Sequence, residues 1–208
     1  MLHTIFFDLD NTLYSKESGV WEAISERINI FIETILKIDG DKVQEVRTYC
    51  RQNYATSLQG LKSLYQINDD EYLEFVHDID FAKILSDDEN LSALLSSLPQ
   101  RKIIFTNSDS LHANKVLNVL GIRSYFDLII DVISVRPFVK PHEEAFHKAL
   151  LIAGLKSSNG CVFVDDIIEN IEQASNLGFL SILIGDSKNG HLCIPDIFRL
   201  PGLLSSLN

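Results

Sequence analysis

The chain has little cysteine, no clustered positive charge and no long apolar run. Its three cysteines, Cys50, Cys161 and Cys193, are too few and too scattered for a disulfide framework or a zinc site, which indicates a reducing compartment. No lysine or arginine run offsets the formal net charge of −11, so we expect neither nucleic acid nor a membrane surface as a partner. No stretch approaches the ~18 apolar residues of a membrane span, and no signal-type pattern opens the chain, so a cytoplasmic protein is expected.

Short apolar runs suited to buried parallel strands recur at 3–9, 102–106, 127–133, 161–164 and 180–184. Helical patterns separate most of them, at 110–120, 142–153 and 168–177. Strands that alternate with helices indicate βαβ units, so the predicted fold is α/β, a doubly wound, Rossmann-like parallel sheet with helices on both faces. Right-handed crossovers then place the carboxyl ends of the strands, and any site, along one edge.

Residues 15–98 interrupt this alternation with helical patterns. Apolar positions step by three and four residues at Trp21, Ile24, Ile28, Phe31, Ile35 and Leu36, which predicts an amphipathic helix with Trp21 in its core. Further helices are predicted near 40–54, 69–79 and 87–98, the last with a capping box formed by Ser86 and Glu89. The expected domains are a core of residues 1–14 and 99–208 and an all-helical cap of residues 15–98.

Two aspartates, Asp8 and Asp10, end the first predicted strand. Side chains alternate along a strand, so both point to one side, where their repulsion costs free energy unless a cation or a shared proton lies between them. A carboxylate there can attack a phosphoryl group once a cation reduces the repulsion, so Asp8 is a candidate nucleophile. Asp10 is then the candidate acid for the leaving oxygen and the base for water. The plain alternative is a strand that ends in solvated acids.

Polar residues also follow the second predicted strand and precede a later helix. Thr106, Asn107 and Ser108 offer a hydroxyl and backbone N–H groups to an oxyanion, although such a sequence is also an ordinary helix N-cap. Lys140 precedes Pro141, which we expect in the first turn of a helix. The lysine can neutralise a phosphate and the nucleophile together, although most lysines lie on the surface.

The fourth predicted strand ends in a further acidic pair, Asp165 and Asp166. Mg²⁺ takes few protein oxygens and completes its octahedron with water and phosphate, so Asp8, Asp166 and the backbone carbonyl of Asp10 would suffice. Asp166 as a helix cap is the alternative, and Asn170, one turn on, is expected to steady a metal site. A doubly wound fold brings all these strand ends together, which predicts a site for Mg²⁺ and a phosphate.

Four segments resemble the signatures of the haloacid dehalogenase superfamily of phosphohydrolases: DLDNT at 8–12, TNS at 106–108, KP at 140–141 and DDIIEN at 165–170. The resemblance implies a Mg²⁺-dependent phosphomonoesterase with an aspartyl-phosphate at Asp8 and an acid/base at Asp10. It implies that Thr106 and Lys140 bind the phosphoryl group and that Asp166, with Asp165 beside it, coordinates the metal. A helical cap between the first two signatures corresponds to the C1 class.

Four longer segments resemble the pyrimidine 5′-nucleotidase-like branch known from fungi and plants, at 49–61, 69–81, 98–122 and 194–204. This similarity implies a nucleoside 5′-monophosphate substrate, UMP or CMP, bound by Tyr54 and Leu58 of the cap and by Asn107 and Ser108. The chain departs from the branch at Ile167, where serine is common, and at Ala55, where glycine is usual.

Three alternatives remain open. A sugar-phosphate phosphatase and a phosphomutase share the fold, and a regulatory or binding protein would keep the fold and the metal site for sensing. A monomer and a homodimer are both compatible with the sequence. Tyr14 is a candidate for stacking on a base, and His112 is expected to be structural or solvent-facing.

Overall fold

A parallel sheet forms the centre of the computed structural model, which describes residues 1–186 and 190–207. The strands in this part of the chain are β1 (Thr4–Phe7), β2 (Arg101–Phe105), β3 (Leu128–Ile130), β4 (Cys161–Asp165), β5 (Leu180–Ile184) and β6 (Leu192–Ile194). They lie in the order β3-β2-β1-β4-β5-β6, and every neighbouring pair is parallel. The predicted doubly wound α/β fold is confirmed. β6 was not predicted, because three residues, of which only Ile194 is buried, give no apolar run.

The helices of the described residues are α1 (Val20–Ile30), α2 (Gly40–Asn53), α3 (Ser57–Tyr65), α4 (Asp69–Val76), α5 (Glu89–Ser97), α6 (Ser110–Val119), α7 (Glu143–Ile152), α8 (Ile168–Asn176) and α9 (Leu200–Ser206). A π-helical turn, Phe31–Ile35, continues α1. α3 was not predicted, since Gly60 interrupts its apolar pattern; Thr56 caps its first turn by accepting from the Gln59 N–H. In residues 1–186 and 190–207, every helix is too short or too polar to cross a membrane.

The chain divides into two compact units. The sheet unit comprises Met1–Glu17 and Leu85–Asn208, and the helical unit comprises Ser18–Ile84. The sheet unit contains every strand described above together with α5 to α9, and the helical unit contains α1 to α4. The helical unit lies within residues 15–98, the expected cap, and α5 belongs to the sheet unit.

The start of α5 shows why that helix belongs to the sheet unit. The Asp88 N–H donates to the Leu120 carbonyl, next to the end of α6. The predicted cap at Ser86 is wrong, because the carboxylate of Asp88 accepts from the Leu91 N–H and caps the helix instead. The predicted cap residue lies two residues before the observed one, so the helix was predicted to start too early.

A cluster of phenylalanine rings fills one face of the sheet. Its members are buried and meet edge to face: Phe6, Phe105, Phe146, Phe163 and Phe179. The Phe146 ring lies 5.3 Å from Phe105 and 5.2 Å from Phe163, within the range of favourable aromatic pairs. β1, with neighbours on both sides and four buried residues, is a central strand, and its carboxyl end is held firmly.

The helical unit has its own core, and the predicted apolar stripe of α1 differs from the observed one at its first residue. Val20, Ile24 and Ile28 are the buried residues of α1, whereas Trp21 is 47% exposed. The prediction that Trp21 lies in the core is therefore wrong. Val20, which lies one residue before Trp21 and four before Ile24, faces the core instead.

Gly60 permits a close approach between α2 and α3. A Cβ at this position would lie 2.6 Å from Cys50 Sγ and 2.8 Å from Cys50 Cβ. We expect Gly60→Ala to lower the free energy of unfolding by about 1–3 kcal/mol despite the better helix propensity of alanine. Gly202→Ala in α9 is the control, because nothing lies within 4 Å of its added Cβ, and it should be neutral or stabilising. Urea unfolding of both variants checks this, and equal effects would contradict it.

Candidate active site

The strand register places two aspartates side by side at the carboxyl edge of the sheet. Phe6 of β1 lies opposite Phe163 of β4, so Asp8 and Asp165, two residues on, face the same side. The Asp8 N–H still donates to the Val164 carbonyl, at 2.8 Å, which continues the ladder to that point. The geometry of a parallel sheet thus holds the two carboxylates together.

Lys140 bridges these two carboxylates. Its Nζ donates to Asp8 Oδ1 and to Asp165 Oδ2, each at 2.7 Å, and all three side chains are buried. The ammonium group lies 5.2 Å from the Phe105 ring centroid and 5.5 Å from that of Phe163, above the phenylalanine cluster. The lysine is therefore fixed between the apolar core and the strand ends rather than exposed on the surface.

Asn107 holds the backbone of Lys140. Its Nδ2 donates to the Lys140 carbonyl, and its Oδ1 accepts from the Lys140 N–H, each at 2.9 Å. The Asn107 side chain, predicted to bind substrate, is engaged in this reciprocal pair. The prediction that Pro141 lies in the first helical turn is wrong, because α7 begins at Glu143 with His142 as its N-cap.

The charges in this cluster do not cancel. Burial raises the pKa of Asp8 well above its ordinary value, and the carboxylates of Asp165, Asp166 and Asp10 raise it further against the lowering effect of Lys140. For Lys140, burial lowers the pKa, but Asp165 and Asp8 together raise it above the ordinary value, so the ammonium stays charged. The site thus contains more negative charge than its lysine neutralises.

The side chains of Asp8, Asp165 and Asp166 form a cluster of three carboxylates suited to binding a cation. One oxygen of each lies within 4.8 Å of the others. Hard oxygen donors and an excess of negative charge are what Mg²⁺ requires, so the residues fit the predicted metal. Asp166 also pairs at 3.0 Å with Lys16, a side chain 61% exposed that can move away from the carboxylate.

Asp10 lies outside this cluster of three carboxylates and has its own hydrogen-bond partners. Its Oδ1 accepts from the Tyr14 hydroxyl at 2.5 Å and lies 2.7 Å from His112 Nε2, while its Oδ2 accepts from the Ser108 hydroxyl at 2.7 Å. Burial raises the pKa of Asp10, but His112 and the hydrogen bonds from Tyr14 and Ser108 lower it below its ordinary range. Any contribution of Asp10 to a metal would therefore come through its backbone carbonyl, as the sequence suggested.

Sequence reasoning missed the role of two of these partners. His112, expected to be structural or solvent-facing, is fully buried beside Asp10. Tyr14, considered for stacking on a base, donates its hydroxyl to Asp10 instead. The available signal was position, since Tyr14 follows Asp10 by four residues and His112 lies in the first turn of the helix that leaves the β2 edge.

Three further residues of the sheet unit, Thr106, Ile167 and Asn170, make hydrogen bonds close to these aspartates. Thr106 is buried, and its Oγ1 accepts from the Ser108 N–H at 3.0 Å. Asn170 donates to both oxygens of Asp165, at 3.0 Å each, and the Ile167 N–H donates to Asp165 Oδ1 at 2.9 Å. Position 167 therefore acts through its backbone, while the isoleucine side chain is half exposed.

Tyr54 and Leu58, predicted to bind substrate, lie in the helical unit. The Tyr54 hydroxyl donates to Ser63 Oγ at 3.0 Å, and Leu58 is 9% exposed. Ala55 is not among the described residues with positive φ, so the departure from glycine imposes no left-handed strain there.

Known proteins resemble this chain over most of its length. Residues 2–178 match the family described as haloacid dehalogenase-like hydrolase. The chain is 32% identical over 187 residues to Phosphate metabolism protein 8 of Saccharomyces cerevisiae, covering 83% of this chain but only 58% of that protein's length. It is 25% identical over 195 residues to a glyceraldehyde 3-phosphate phosphatase of Methanothermobacter thermautotrophicus, covering 88% of this chain and 86% of the relative.

A solved structure, that of a HAD phosphatase from Thermococcus onnurineus, has the same fold. It superposes with a TM-score of 0.70 at 19% sequence identity, covering 98% of each chain. The residues matched by the family include Asp8, Lys140 and Asp165. The chain belongs to the haloacid dehalogenase-like hydrolase family.

Proposed function

We propose that the protein is a Mg²⁺-dependent phosphomonoesterase that works through an aspartyl-phosphate at Asp8. The observation that carries the proposal is the buried bridge of Lys140 between Asp8 and Asp165, with Asp166 close by. A lysine held in this way supplies positive charge beside a nucleophile and an incoming phosphate. A second acidic residue, Asp10, is held on separate donors, so the two aspartates have different environments and can take different roles.

In the first step, an oxygen of Asp8 attacks phosphorus and the bond from phosphorus to the ester oxygen breaks. The contacts from His112, Tyr14 and Ser108 favour the Asp10 carboxylate in the absence of substrate, so Asp10 takes up its proton when the anionic substrate is bound and its negative charge raises the pKa of Asp10. Asp10 then gives this proton to the ester oxygen, so that an alcohol leaves. Lys140 stabilises the charge on the phosphoryl oxygens, and the Thr106 hydroxyl donates to one of them.

In the second step, water attacks the phosphorus of the aspartyl-phosphate. Asp10, now a carboxylate, takes a proton from that water, and the bond between phosphorus and Asp8 breaks. Inorganic phosphate leaves, and Asp8 and Asp10 return to their starting forms.

Asp8, Asp165 and Asp166 would hold Mg²⁺, together with the Asp10 carbonyl. When bound, the ion offsets the repulsion between Asp8 and an anionic substrate. Asn170 and the Ile167 N–H keep Asp165 oriented for this task by their hydrogen bonds.

A nucleoside 5′-monophosphate, UMP or CMP, is the proposed substrate, and Tyr54 and Leu58 are its proposed contacts in the helical unit. The resemblance of four segments to the pyrimidine 5′-nucleotidase-like branch supports this choice. A sugar-phosphate phosphatase is the second candidate, favoured by the relative named for glyceraldehyde 3-phosphate.

Phosphate release from a substrate panel tests the proposal. The protein is incubated with each substrate in Mg²⁺ and, separately, in EDTA. The substrates are pyrimidine and purine nucleoside monophosphates, triose and hexose phosphates and p-nitrophenyl phosphate. Mg²⁺-dependent release that is fastest with UMP or CMP is expected. Release confined to sugar phosphates would support a phosphatase but overturn the proposal of a nucleotidase. Release of phosphate from none of the substrates would overturn both proposals.

A further inference from the structure

Three side chains from separate segments converge on the Asp10 carboxylate. Tyr14 follows β1 by a turn, Ser108 ends the segment after β2, and His112 lies in the first turn of α6. They lie 2.5 to 2.7 Å from the carboxylate oxygens. With Asp10 ionised, we assign the hydrogen on His112 to Nε2, which then donates.

The three donors are distributed unequally between the two oxygens. Oδ1 has two, Tyr14 and His112, whereas Oδ2 has Ser108. Each carboxylate oxygen has two lone pairs. The donors on Oδ1 therefore occupy both of its lone pairs, and the donor on Oδ2 fixes the other end of the carboxyl group.

The segment that carries Ser108 is itself fixed. The Ser108 N–H donates to Thr106 Oγ1 at 3.0 Å, and the Ser108 carbonyl accepts from the Val132 N–H. His112 is also fixed, because its backbone N–H donates to the Asp109 carboxylate that caps α6. Ser108 and His112 are thus fixed by contacts other than those to Asp10, which is the arrangement that preorganised catalysis requires.

We propose that Tyr14, His112 and Ser108 are positioning residues that orient the Asp10 carboxyl group for its two proton transfers. This inference rests on the proposed function and assigns Asp10 a defined geometry within it. In the first step the proton passes from Asp10 to the ester oxygen as phosphorus bonds to Asp8 and the ester bond breaks. Tyr14 and His112 hold Oδ1 throughout and neither gain nor lose a proton.

The dependence of kcat/KM on the leaving group tests the inference. An alkoxide is a poor leaving group and needs the proton from Asp10, whereas p-nitrophenolate leaves without it. The value of kcat/KM reports steps up to formation of the aspartyl-phosphate, so slow hydrolysis of that intermediate does not affect it. For Tyr14→Phe and Ser108→Ala we expect kcat/KM on a nucleoside or sugar phosphate to fall about 10- to 100-fold, mainly through kcat. On p-nitrophenyl phosphate it should change by less than about threefold.

Variants at His112 add a test by conservative replacement. His112→Gln keeps an N–H donor and should retain more activity on the alkyl ester than His112→Leu. Tyr65→Phe and His147→Leu are matched controls at exposed positions, and both should behave as wild type on both substrates. Thermal unfolding confirms that each variant compared is folded.

Equal loss on both substrates would overturn the inference, since it would show a general structural effect. A rise in KM alone for Ser108→Ala would also overturn it, because Ser108 would then bind substrate. Unchanged kcat/KM for Tyr14→Phe and Ser108→Ala would do the same. The proposed function fails in a different way, namely when the wild-type protein releases phosphate from neither ester.

Discussion

Asp8→Asn is expected to abolish phosphate release while making the folded protein more stable in the absence of divalent cations. Burial and three neighbouring carboxylates raise the pKa of Asp8 in the folded state despite Lys140. A carboxyl whose pKa is higher in the folded than in the unfolded state destabilises the fold at every pH above its ordinary value. Asparagine removes that charge and also removes the nucleophile.

The expected sizes follow from comparable sites. Loss of a nucleophile lowers kcat by about 10⁴-fold or more, and relief of charge strain at a functional site adds about 0.5–2 kcal/mol to the free energy of unfolding. Phosphate release in Mg²⁺ and urea unfolding in EDTA measure the two effects. Asp80→Asn is the control, because Asp80 forms an exposed pair with Lys83. Retained activity, or a less stable Asp8→Asn protein, would contradict the account.

Lys140→Met is expected to inactivate the protein and to destabilise it strongly. Methionine fills similar space, but its thioether leaves Asp8 and Asp165 buried without their shared cation. Removing one partner of a buried ion pair costs about 3–5 kcal/mol. The control is Lys42→Met, since Lys42 is 62% exposed and 3.5 Å from Asp39, and it should change stability by less than about 0.5 kcal/mol.

Mg²⁺ should restore part of the stability of Lys140→Met, because a cation bound to the three carboxylates replaces the missing charge. Binding to the folded state alone adds about 2.7 kcal/mol at 100 times the dissociation constant. Thermal unfolding of the variant with and without Mg²⁺ measures this. A variant as stable as wild type in EDTA, or one that Mg²⁺ does not stabilise, would show that the carboxylates do not act as one charged cluster.

The sequence predicted the central strands well, for a physical reason. A strand buried on both faces is largely apolar, so β1, residues 103–105 of β2 and residues 161–164 of β4 stand out as short apolar runs. β6 escaped prediction because it is only three residues long and partly exposed, and α3 because Gly60 interrupts its pattern. The predicted stripe of α1 is right at Ile24 and Ile28 and wrong at Trp21, which is apolar and yet exposed.

The site was predictable where strand register decides it and not where side-chain direction does. Asp8 follows β1 and Asp165 ends β4, the strand paired with β1, so their proximity follows from the sheet alone. The hydrogen bonds of Tyr14 and His112 to Asp10 depend on how a loop and a helix turn after leaving the sheet. Sequence spacing does not encode that rotation.

Trapping the phosphorylated enzyme tests the central claim most directly. Asp10→Asn removes the base for the second step, whereas p-nitrophenyl phosphate needs no acid in the first. The variant is mixed with this ester and Mg²⁺, quenched in acid and digested, and the peptides are analysed by mass spectrometry. The account predicts a burst of p-nitrophenol and one phosphoryl group on Asp8, removable by hydroxylamine. Release of p-nitrophenol with no protein-bound phosphoryl group, or with one on another residue, would contradict it.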